Sequence, residues 1–256
     1  MRLPSVEGTI DRRLLVNFAV DPEILERLLP PPFRPKLLHG QGVAGICLIR
    51  LRDMRPTGFP ALAGVRSENA AHRIAVVWDD DGCEREGVFI PRRDTSSRLN
   101  TVLGGRVFPG VHNHARFRVA ETHEGRINID LKSYDRRVRV LVGGRISHSW
   151  PGGSVFASLD EASRFFSAGS HGYSAAAGSE ALDGLELRTK TWDVQPFEVQ
   201  VVESSFFDDR SLFPRGTTRF DNALVMKGIA HEWRPLEPLH TGVAASAAPV
   251  ERCIPA

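Results

Sequence analysis

The residues whose types and spacing could do chemistry lie in two segments of the chain. In the first, Arg66-Ser-Glu-Asn69 precedes the apolar run Ile74–Trp78, a pattern typical of polar groups at the mouth of a strand. Successive strand residues point to opposite faces, so Arg66 and Glu68 share one face while Ser67 and Asn69 share the other. Glu68 and Arg66 could bind a polar ligand, with Asn69 as a further contact. The alternative is a salt bridge at the start of a strand.

The second segment, Arg98–Phe117, contains Arg106 and the pair His112-Asn-His114. Two histidines spaced two apart on a strand face the same way and could carry protons to and from a ligand. Arg106 could contact the same ligand. The histidines could instead bind a metal ion, but such a site needs a third ligand. The sequence offers no candidate for that ligand apart from Glu68, which no spacing pattern supports. We therefore predict no metal, and a polar loop remains the alternative for both histidines.

The composition limits the possible functions. The 256 residues are 41% hydrophobic and 25% charged, which is ordinary for a globular domain. Acidic residues are mixed among the basic ones without a basic stripe, so we predict no nucleic-acid partner. Neither a phosphate-binding glycine motif nor a GxSxG elbow is present, and we predict no cofactor.

Cysteine usage and hydropathy bear on the compartment. Three cysteines without CxxC spacing indicate neither a disulfide framework nor a zinc ribbon, which favours a reducing cytoplasm. The chain has no signal-peptide core and no apolar run of about 18 residues. We expect a cytoplasmic protein with no membrane partner.

Short runs rich in β-branched and aromatic residues, separated by Gly, Pro, Asp and Asn, predict a mainly β protein. A sheet of this size should curve or close so that its edges are not left bare. The turn Glu124-Gly125 should join two of the strands as a hairpin. The predicted strands are Arg12–Ala19, Val43–Arg52, Ser67–Trp78, Glu86–Ile90, Ala115–Glu121, Arg126–Leu131, Arg137–Val142, Leu185–Thr191, Phe197–Glu203 and Ala223–His231.

Three short helices are predicted from capping residues. They are Glu23–Leu29 after Asp21-Pro22, a second from Asp94 to about Leu103, and Ala162–Ser167 after Ser158-Leu-Asp-Glu161. The Gly-, Ala- and Ser-rich segment 168–184 is predicted to be a flexible loop or a lid. Residues 1–238 should form one domain, followed by a flexible tail at 239–256.

Several segments together resemble the acetoacetate decarboxylase-like superfamily, and most closely its YqjF-like branch of domains of unknown function. Phe18-Ala-Val-Asp-Pro-Glu-Ile-Leu-Glu-Arg-Leu-Leu-Pro-Pro-Pro-Phe33 is similar to the family's entry motif. Gly42–Met54 resembles the strand that follows. Ser67-Glu-Asn69 resembles the strand that carries the family's glutamate, which places Glu68 at that position. Val107-Phe-Pro-Gly110 resembles the loop that holds the decarboxylase lysines.

The resemblance implies a curved antiparallel sheet that closes into a cone-shaped barrel around a small cavity, often in a homo-oligomer. It also exposes a departure from the family's known chemistry. Where the decarboxylases carry two lysines, this chain has Gly110 and Val111, and no lysine occurs between Lys36 and Lys132. Neither residue can form an imine, so we expect no acetoacetate decarboxylation through a Schiff base.

The sequence therefore predicts a barrel protein that binds a small organic acid or carbonyl compound. Arg66 or Arg106 would orient the ligand together with Glu68 and Asn69. If the protein is an enzyme, Glu68 with His112 or His114 would carry protons in an enolisation, hydration or lyase step. The alternative is a non-catalytic interaction protein that keeps only the fold.

Overall fold

The computed structural model describes residues 5–60, 64–103, 110–176 and 181–240. Strands make up most of this part of the chain, and the predicted mainly β fold class is confirmed. The strands are β1 (Val6–Val20), β2 (Arg34–Pro35), β3 (Leu37–Leu38), β4 (Gln41–Pro56), β5 (Val65–Asp80), β6 (Cys83–Thr95), β7 (His112–Glu121), β8 (Arg126–Ser133), β9 (Arg139–Ile146), β10 (His171–Ala175), β11 (Ala181–Thr189), β12 (Gln195–Ser204) and β13 (Thr218–His240). The helices are α1 (Pro22–Leu28), α2 (Arg98–Leu103) and α3 (Leu159–Ala168).

Two of the helices begin at the predicted caps. The Asp21 carboxylate accepts a hydrogen bond from the backbone N–H of Glu23 at the start of α1. The Ser158 hydroxyl accepts one from the backbone N–H of Glu161 at the start of α3. These side chains satisfy N–H groups that the first helical turn leaves without a partner. The predicted caps of these two helices are therefore confirmed.

Two predictions of local structure are wrong. Asp94 does not cap a helix; it lies in β6, where its buried carboxylate pairs with Arg92 at 2.7 Å, and α2 begins only at Arg98. The segment 168–184 contains β10 and the first residues of β11, while 177–180 lie outside the described residues. A Cβ at Gly184 would lie 2.5 Å from the Tyr173 ring, so at this position the small residue permits close packing. β13 runs to His240, and residues 241–256 of the predicted tail lie outside the described residues.

Nine strands form a closed ring of hydrogen-bonded neighbours, called here the first ring. Its order is β6-β7-β8-β9-β12-β13-β1-β4-β5 and back to β6. The β6–β7 pair is parallel, so the sheet is mixed, not wholly antiparallel as the resemblance implies. The larger hydrophobic cluster fills the interior of this ring with side chains such as Leu14, Leu48, Ile74 and Val140. This ring is therefore a packed core.

A second closed path of strands, called here the second ring, shares β13, β1, β4, β5 and β6 with the first. It closes through β10 and β11. β6 belongs to both rings because Val88 and Phe89 pair with β10, whereas Arg93–Thr95 pair with β7. The shared strands bury side chains on both faces, which explains the nearly continuous apolar runs Leu14–Val20 and Val43–Ile49.

The smaller hydrophobic cluster lies on the second-ring face of the shared strands. It includes Leu15, Cys47 and Ile49, and it packs against α3 through Phe165 and Phe166. The side chains on one face of the shared strands thus pack inside the first ring, and those on the other face point into the second ring.

Candidate functional site

A cavity of about 340 Å³ lies within the second ring, and each of its seven strands contributes to the wall. Most of the wall is apolar. The polar or charged residues that line it are Arg13, Cys47, Arg55, Ser67, Asn69, Arg73, Arg93, Asp94, Asn100, His112 and Ser170. A mainly apolar cavity of this volume with a few polar groups is typical of a small-molecule site.

The alternation along β5 decides which of the predicted site residues reach this cavity. Asn69 and Arg73 lie on the cavity face, whereas Glu68 points into the first ring. The Asn69 side chain donates a hydrogen bond to the Ser67 hydroxyl at 2.9 Å and accepts one from the Thr95 hydroxyl at 2.7 Å. Asn69 therefore sits in the cavity wall in a fixed orientation.

Glu68 belongs to a cluster of opposite charges in the first ring. Its carboxylate accepts hydrogen bonds from Arg12 at 2.6 Å and from Arg50 at 2.5 Å, and both arginines also contact Glu121. The Arg12 side chain is only 1% exposed, so it depends on these carboxylates for compensation of its charge. Arg66 is exposed at the start of β5 and is not part of the cavity wall. Glu68 and Arg66 share a strand face, as predicted, but the cavity lies on the other face.

Arg13 and Arg73 bring positive charge to the cavity without a carboxylate partner among the described residues. Arg13 donates a long hydrogen bond, 3.4 Å, to the Cys47 sulfur, and its Nη1 is buried without a partner. Arg73 is 5% exposed, donates to the Asn17 side-chain oxygen, and lies over the Phe166 ring. Its Nε has no partner. Burial lowers the pKa of Arg73 to about 10; Cys47 opposes this effect, and the nearby Arg13 adds to it. The guanidinium remains charged near neutral pH, at a cost that a bound anion would reduce.

Arg93 adds a third guanidinium to the wall. Its Nε donates to the Ser174 hydroxyl at 3.0 Å, whereas its buried Nη2 has no hydrogen-bond partner in the described part of the chain. Burial lowers its pKa to about 10, an effect that Cys47 and Asp183 oppose. Asp183 therefore compensates part of this charge. The carboxylate of Asp94, the acidic residue in the cavity wall, is held by Arg92.

His112 reaches the cavity, but His114 does not line it. The Nδ1 of His112 lies 3.1 Å from the carbonyl oxygen of Gly110, which can only accept, so this nitrogen carries the hydrogen in the neutral ring. Burial, together with Arg93, lowers the pKa of His112 to about 4. The neutral ring then presents Nε2 as a proton acceptor. His114 stacks on Tyr134 with ring centroids 4.5 Å apart.

The loop that resembles the decarboxylase lysine loop lies partly outside the described residues, and with it Arg106. Gly110 lies within the described part of this loop and has a backbone φ of +78°, a conformation that residues other than glycine rarely adopt. A Cβ at Gly110 would come within 3.0 Å of Ser174 and 3.1 Å of Arg93 Nε. No lysine side chain lines the described cavity wall, since Lys36 pairs with Glu86 and the other lysines of the chain are largely exposed.

Sequence reasoning missed Arg13, Arg73, Arg93 and Cys47 as cavity residues. One signal could have identified two of them. Arg13 directly precedes the apolar run Leu14–Val20, and Arg73 directly precedes Ile74–Trp78. A charge next to a run that is buried on both faces must itself lie close to the interior. The cavity position of Cys47 has no comparable signal in the sequence.

The cysteines, the candidate metal ligands and the helices of the described residues complete the description. Cys47 is a free thiol, whereas Cys83 is disulfide-bonded, which its spacing from the other cysteines does not predict. Within the described residues, no group of three His, Cys, Asp or Glu side chains is arranged to hold a metal ion. In the same part of the chain, no helix has both the length and the apolar character needed to cross a membrane.

Comparisons with known proteins agree with this architecture. The model of the family DUF2071, described as an uncharacterized conserved protein, matches residues 8–227. No curated protein matches the sequence. This match confirms the predicted branch of domains of unknown function, and solved structures confirm the predicted acetoacetate decarboxylase-like fold.

Solved structures similar to this one share its fold at low sequence identity. An acetoacetate decarboxylase from Legionella pneumophila has a TM-score of 0.59 and 13% identity, with 91% of this chain and 87% of that chain covered. The enduracididine biosynthesis enzyme MppR complexed with pyruvate has a TM-score of 0.62 and 11% identity, with 94% and 91% covered. An acetoacetate decarboxylase-like enzyme from Sphingomonas wittichii RW1 has a TM-score of 0.56 and 16% identity, with 93% and 95% covered. At these identities the likeness establishes the fold alone.

Proposed function

This chain belongs to the DUF2071 family, and we propose that it binds a small organic anion, a carboxylate or a 2-oxo acid, in the cavity of the second ring. The observation that carries the proposal is the pair Arg13 and Arg73, two cavity arginines without a carboxylate partner among the described residues. Buried charges are costly unless they are paired. A carboxylate ligand would supply the missing partner and could accept two parallel hydrogen bonds from one guanidinium.

The fold neighbours support the choice of ligand. MppR has been crystallised with pyruvate, and also with a condensation product of pyruvate and imidazole 4-carboxaldehyde. Within the described residues no lysine lines the cavity wall, so the ligand should bind without an imine. Sodium borohydride added with acetoacetate or pyruvate should leave the protein mass unchanged. A covalent adduct on Lys36, Lys132, Lys190 or Lys227 would contradict this part of the proposal.

Catalysis would require a proton carrier next to the bound acid, and His112 is the best placed of the predicted candidates. Its neutral ring presents Nε2 as an acceptor, which suits removal of a proton from the carbon beside a carbonyl group. The arginines would then stabilise the negative charge that develops on the enolate oxygen. The sequence-based version uses Glu68 as the first proton carrier and His112 or His114 as the second, with Arg66 or Arg106 orienting the ligand. The two versions differ in which substitutions should abolish binding.

Calorimetric titration of the full chain with pyruvate, acetate and 2-oxobutyrate tests the proposal. Arg13→Gln should weaken binding by roughly 10- to 100-fold, since a hydrogen bond to a charged group contributes about 1.5–3 kcal/mol. Arg66→Gln is the matched control and should leave the affinity unchanged. Loss of binding with Arg66→Gln and not with Arg13→Gln would favour the sequence-based site. Absence of binding by these acids and by their longer-chain homologues would favour a protein that keeps only the fold.

A further inference from the structure

We infer that the bound acid carries an extended apolar tail, so that the ligand class is a medium-chain carboxylic or 2-oxo acid. This inference rests on the proposed anion site and adds the part of the ligand that lies beyond the arginines. It is carried by the distribution of polar and apolar side chains along the cavity. One end of the cavity is charged and closed, and the other end is apolar and open.

Strand register defines the closed end. Arg13 is the cross-strand partner of Ile49, which in turn is the partner of Asn69. At the next level Cys47 pairs with Ala71, and Ala71 pairs with Arg93. The side chains at this end are buried: Cys47 is 8%, Arg93 9% and Arg73 5% exposed. The cationic groups therefore lie at the bottom of the cavity.

The opposite end is formed by the beginnings of β1 and β5 and the end of β4. Val6 pairs with Pro56 and Trp233, and Met54 pairs with Val65. The remaining apolar lining residues near this end include Leu51 and Leu99. Val65 is 38% and Leu99 54% exposed, so this part of the cavity wall reaches the protein surface. An entering ligand passes apolar side chains before it meets the arginines.

Arg55 is the charged residue in this apolar part of the described wall, and its hydrogen bonds are already made. Its guanidinium pairs with Glu7 at 2.8 Å and donates to the backbone carbonyls of Phe59 and Asp53 at 2.9 Å each. It therefore offers little to a second anionic group on a ligand. A ligand with one charged end matches this wall better than one with two.

The dimensions favour a tail of several carbons. Asn69 and Val65 are four residues apart on β5, which corresponds to roughly 13 Å along the strand. An extended carbon chain advances roughly 1.3 Å per atom, given C–C bonds of about 1.5 Å, so eight to ten carbons would reach from the arginines to the mouth. The 340 Å³ of the cavity equals the volume of roughly eleven water molecules. Pyruvate or acetate alone would leave most of the apolar wall without a partner.

Calorimetric titration with straight-chain carboxylates from acetate to dodecanoate tests this inference. The affinity should rise by up to about fourfold per methylene, the factor expected when each CH₂ is buried, and should level off near eight to ten carbons. Octanol tests the need for the carboxylate, and suberate, which has a second carboxylate at the far end, tests the apolar mouth. Both should bind at least tenfold more weakly than octanoate.

Two substitutions at the mouth localise the tail. Val65→Asp should weaken octanoate binding at least tenfold and leave acetate binding unchanged, and Leu99→Asp provides a second variant at an exposed position. Val201→Asp is the matched control, because Val201 is 37% exposed and lies outside the cavity wall. It should change neither affinity.

The outcomes separate this inference from the proposed function. If acetate and octanoate bind equally well, or if Val65→Asp has no effect on octanoate, the tail inference is overturned while the anion site stands. If octanol binds as tightly as octanoate and Arg13→Gln changes nothing, the anion site itself is overturned. A chain-length dependence that Arg13→Gln weakens throughout supports both.

Discussion

Arg12 and Arg13 are neighbours in the chain, yet their guanidinium groups have opposite surroundings. Arg12 points into the first ring and is held by Glu68 and Glu121. Arg13 points into the second ring, where its nearest hydrogen-bond acceptor is the sulfur of Cys47. Because successive strand residues face opposite ways, one step along β1 separates a compensated charge from one that can receive a ligand.

This contrast predicts that Glu68→Gln affects stability more than binding. Arg12 would keep Glu121 but lose one charged partner, so the free energy of unfolding should fall by roughly 1–3 kcal/mol. The affinity for the organic acid should change by less than about threefold, since Glu68 lies on the other face of β5. Urea denaturation and calorimetric titration measure the two quantities.

Glu198→Gln is the control for that substitution, because the Glu198–Arg145 pair is about half exposed on both sides. Loss of this exposed pair should lower the free energy of unfolding by less than about 1 kcal/mol. If Glu68→Gln abolished ligand binding while leaving the unfolding free energy intact, the sequence-based role of Glu68 as proton carrier would be favoured.

At the scale of elements, β5 shows how much of the site the sequence can predict. The alternation correctly separates Arg66 and Glu68 from Ser67 and Asn69. It does not reveal which face encloses a cavity, because that depends on β10 and β11. These strands pair with distant parts of the chain. The small residues of β10 and of the first part of β11 resemble a loop in the sequence, whereas the sequence does predict a strand at Leu185–Thr191. The capped helices α1 and α3 were predictable because their signals are local.

Because the shared strands face the packed core on one side and the cavity on the other, two matched substitutions should have different effects on ligand binding and on stability. Ala71→Leu adds volume to the cavity wall, so it should weaken binding of octanoate at least tenfold with little change in stability. Ala44→Leu adds the same volume to the filled first ring and should lower the free energy of unfolding by about 1–3 kcal/mol through overpacking. Thermal denaturation and calorimetry distinguish them. Equal destabilisation by both would mean that the second ring offers no free space at Ala71.

At the scale of the whole molecule, one sheet forms both the packed core and the wall of the cavity, because its strands close into two rings. The resemblance to known sequences predicted a curved, closed sheet, and this holds for both rings. The resemblance could not predict that the glutamate position, Glu68, would point into the filled ring, because a change of one residue in register moves a side chain to the other face.

Buried histidines make the stability of this fold sensitive to acid. His72 is fully buried in the first ring beside Phe206 and Phe207, and neither of its ring nitrogens has a hydrogen-bond partner among the described residues. Burial, with a smaller contribution from Arg92, lowers its pKa to about 3, and burial lowers the pKa values of His112 and His231 to about 4. In the unfolded chain each histidine takes up a proton near its ordinary pKa of about 6.5. The unfolded state therefore binds more protons below that pH, and stability must fall as the pH drops.

His72→Leu should reduce this acid sensitivity. Between about pH 6 and pH 4 each buried histidine contributes a loss approaching 1.4 kcal/mol per pH unit, so the variant should show a correspondingly shallower decline in unfolding free energy than the native chain. At pH 7.5 the variant should be no less stable, since an apolar side chain leaves no buried nitrogen without a partner. Urea denaturation at pH 7.5, 6.0 and 5.0 measures the difference, and His148→Gln, at an exposed position, should behave like the native chain. Identical pH slopes for the native chain and His72→Leu would show that His72 is not held in its neutral form by the first ring.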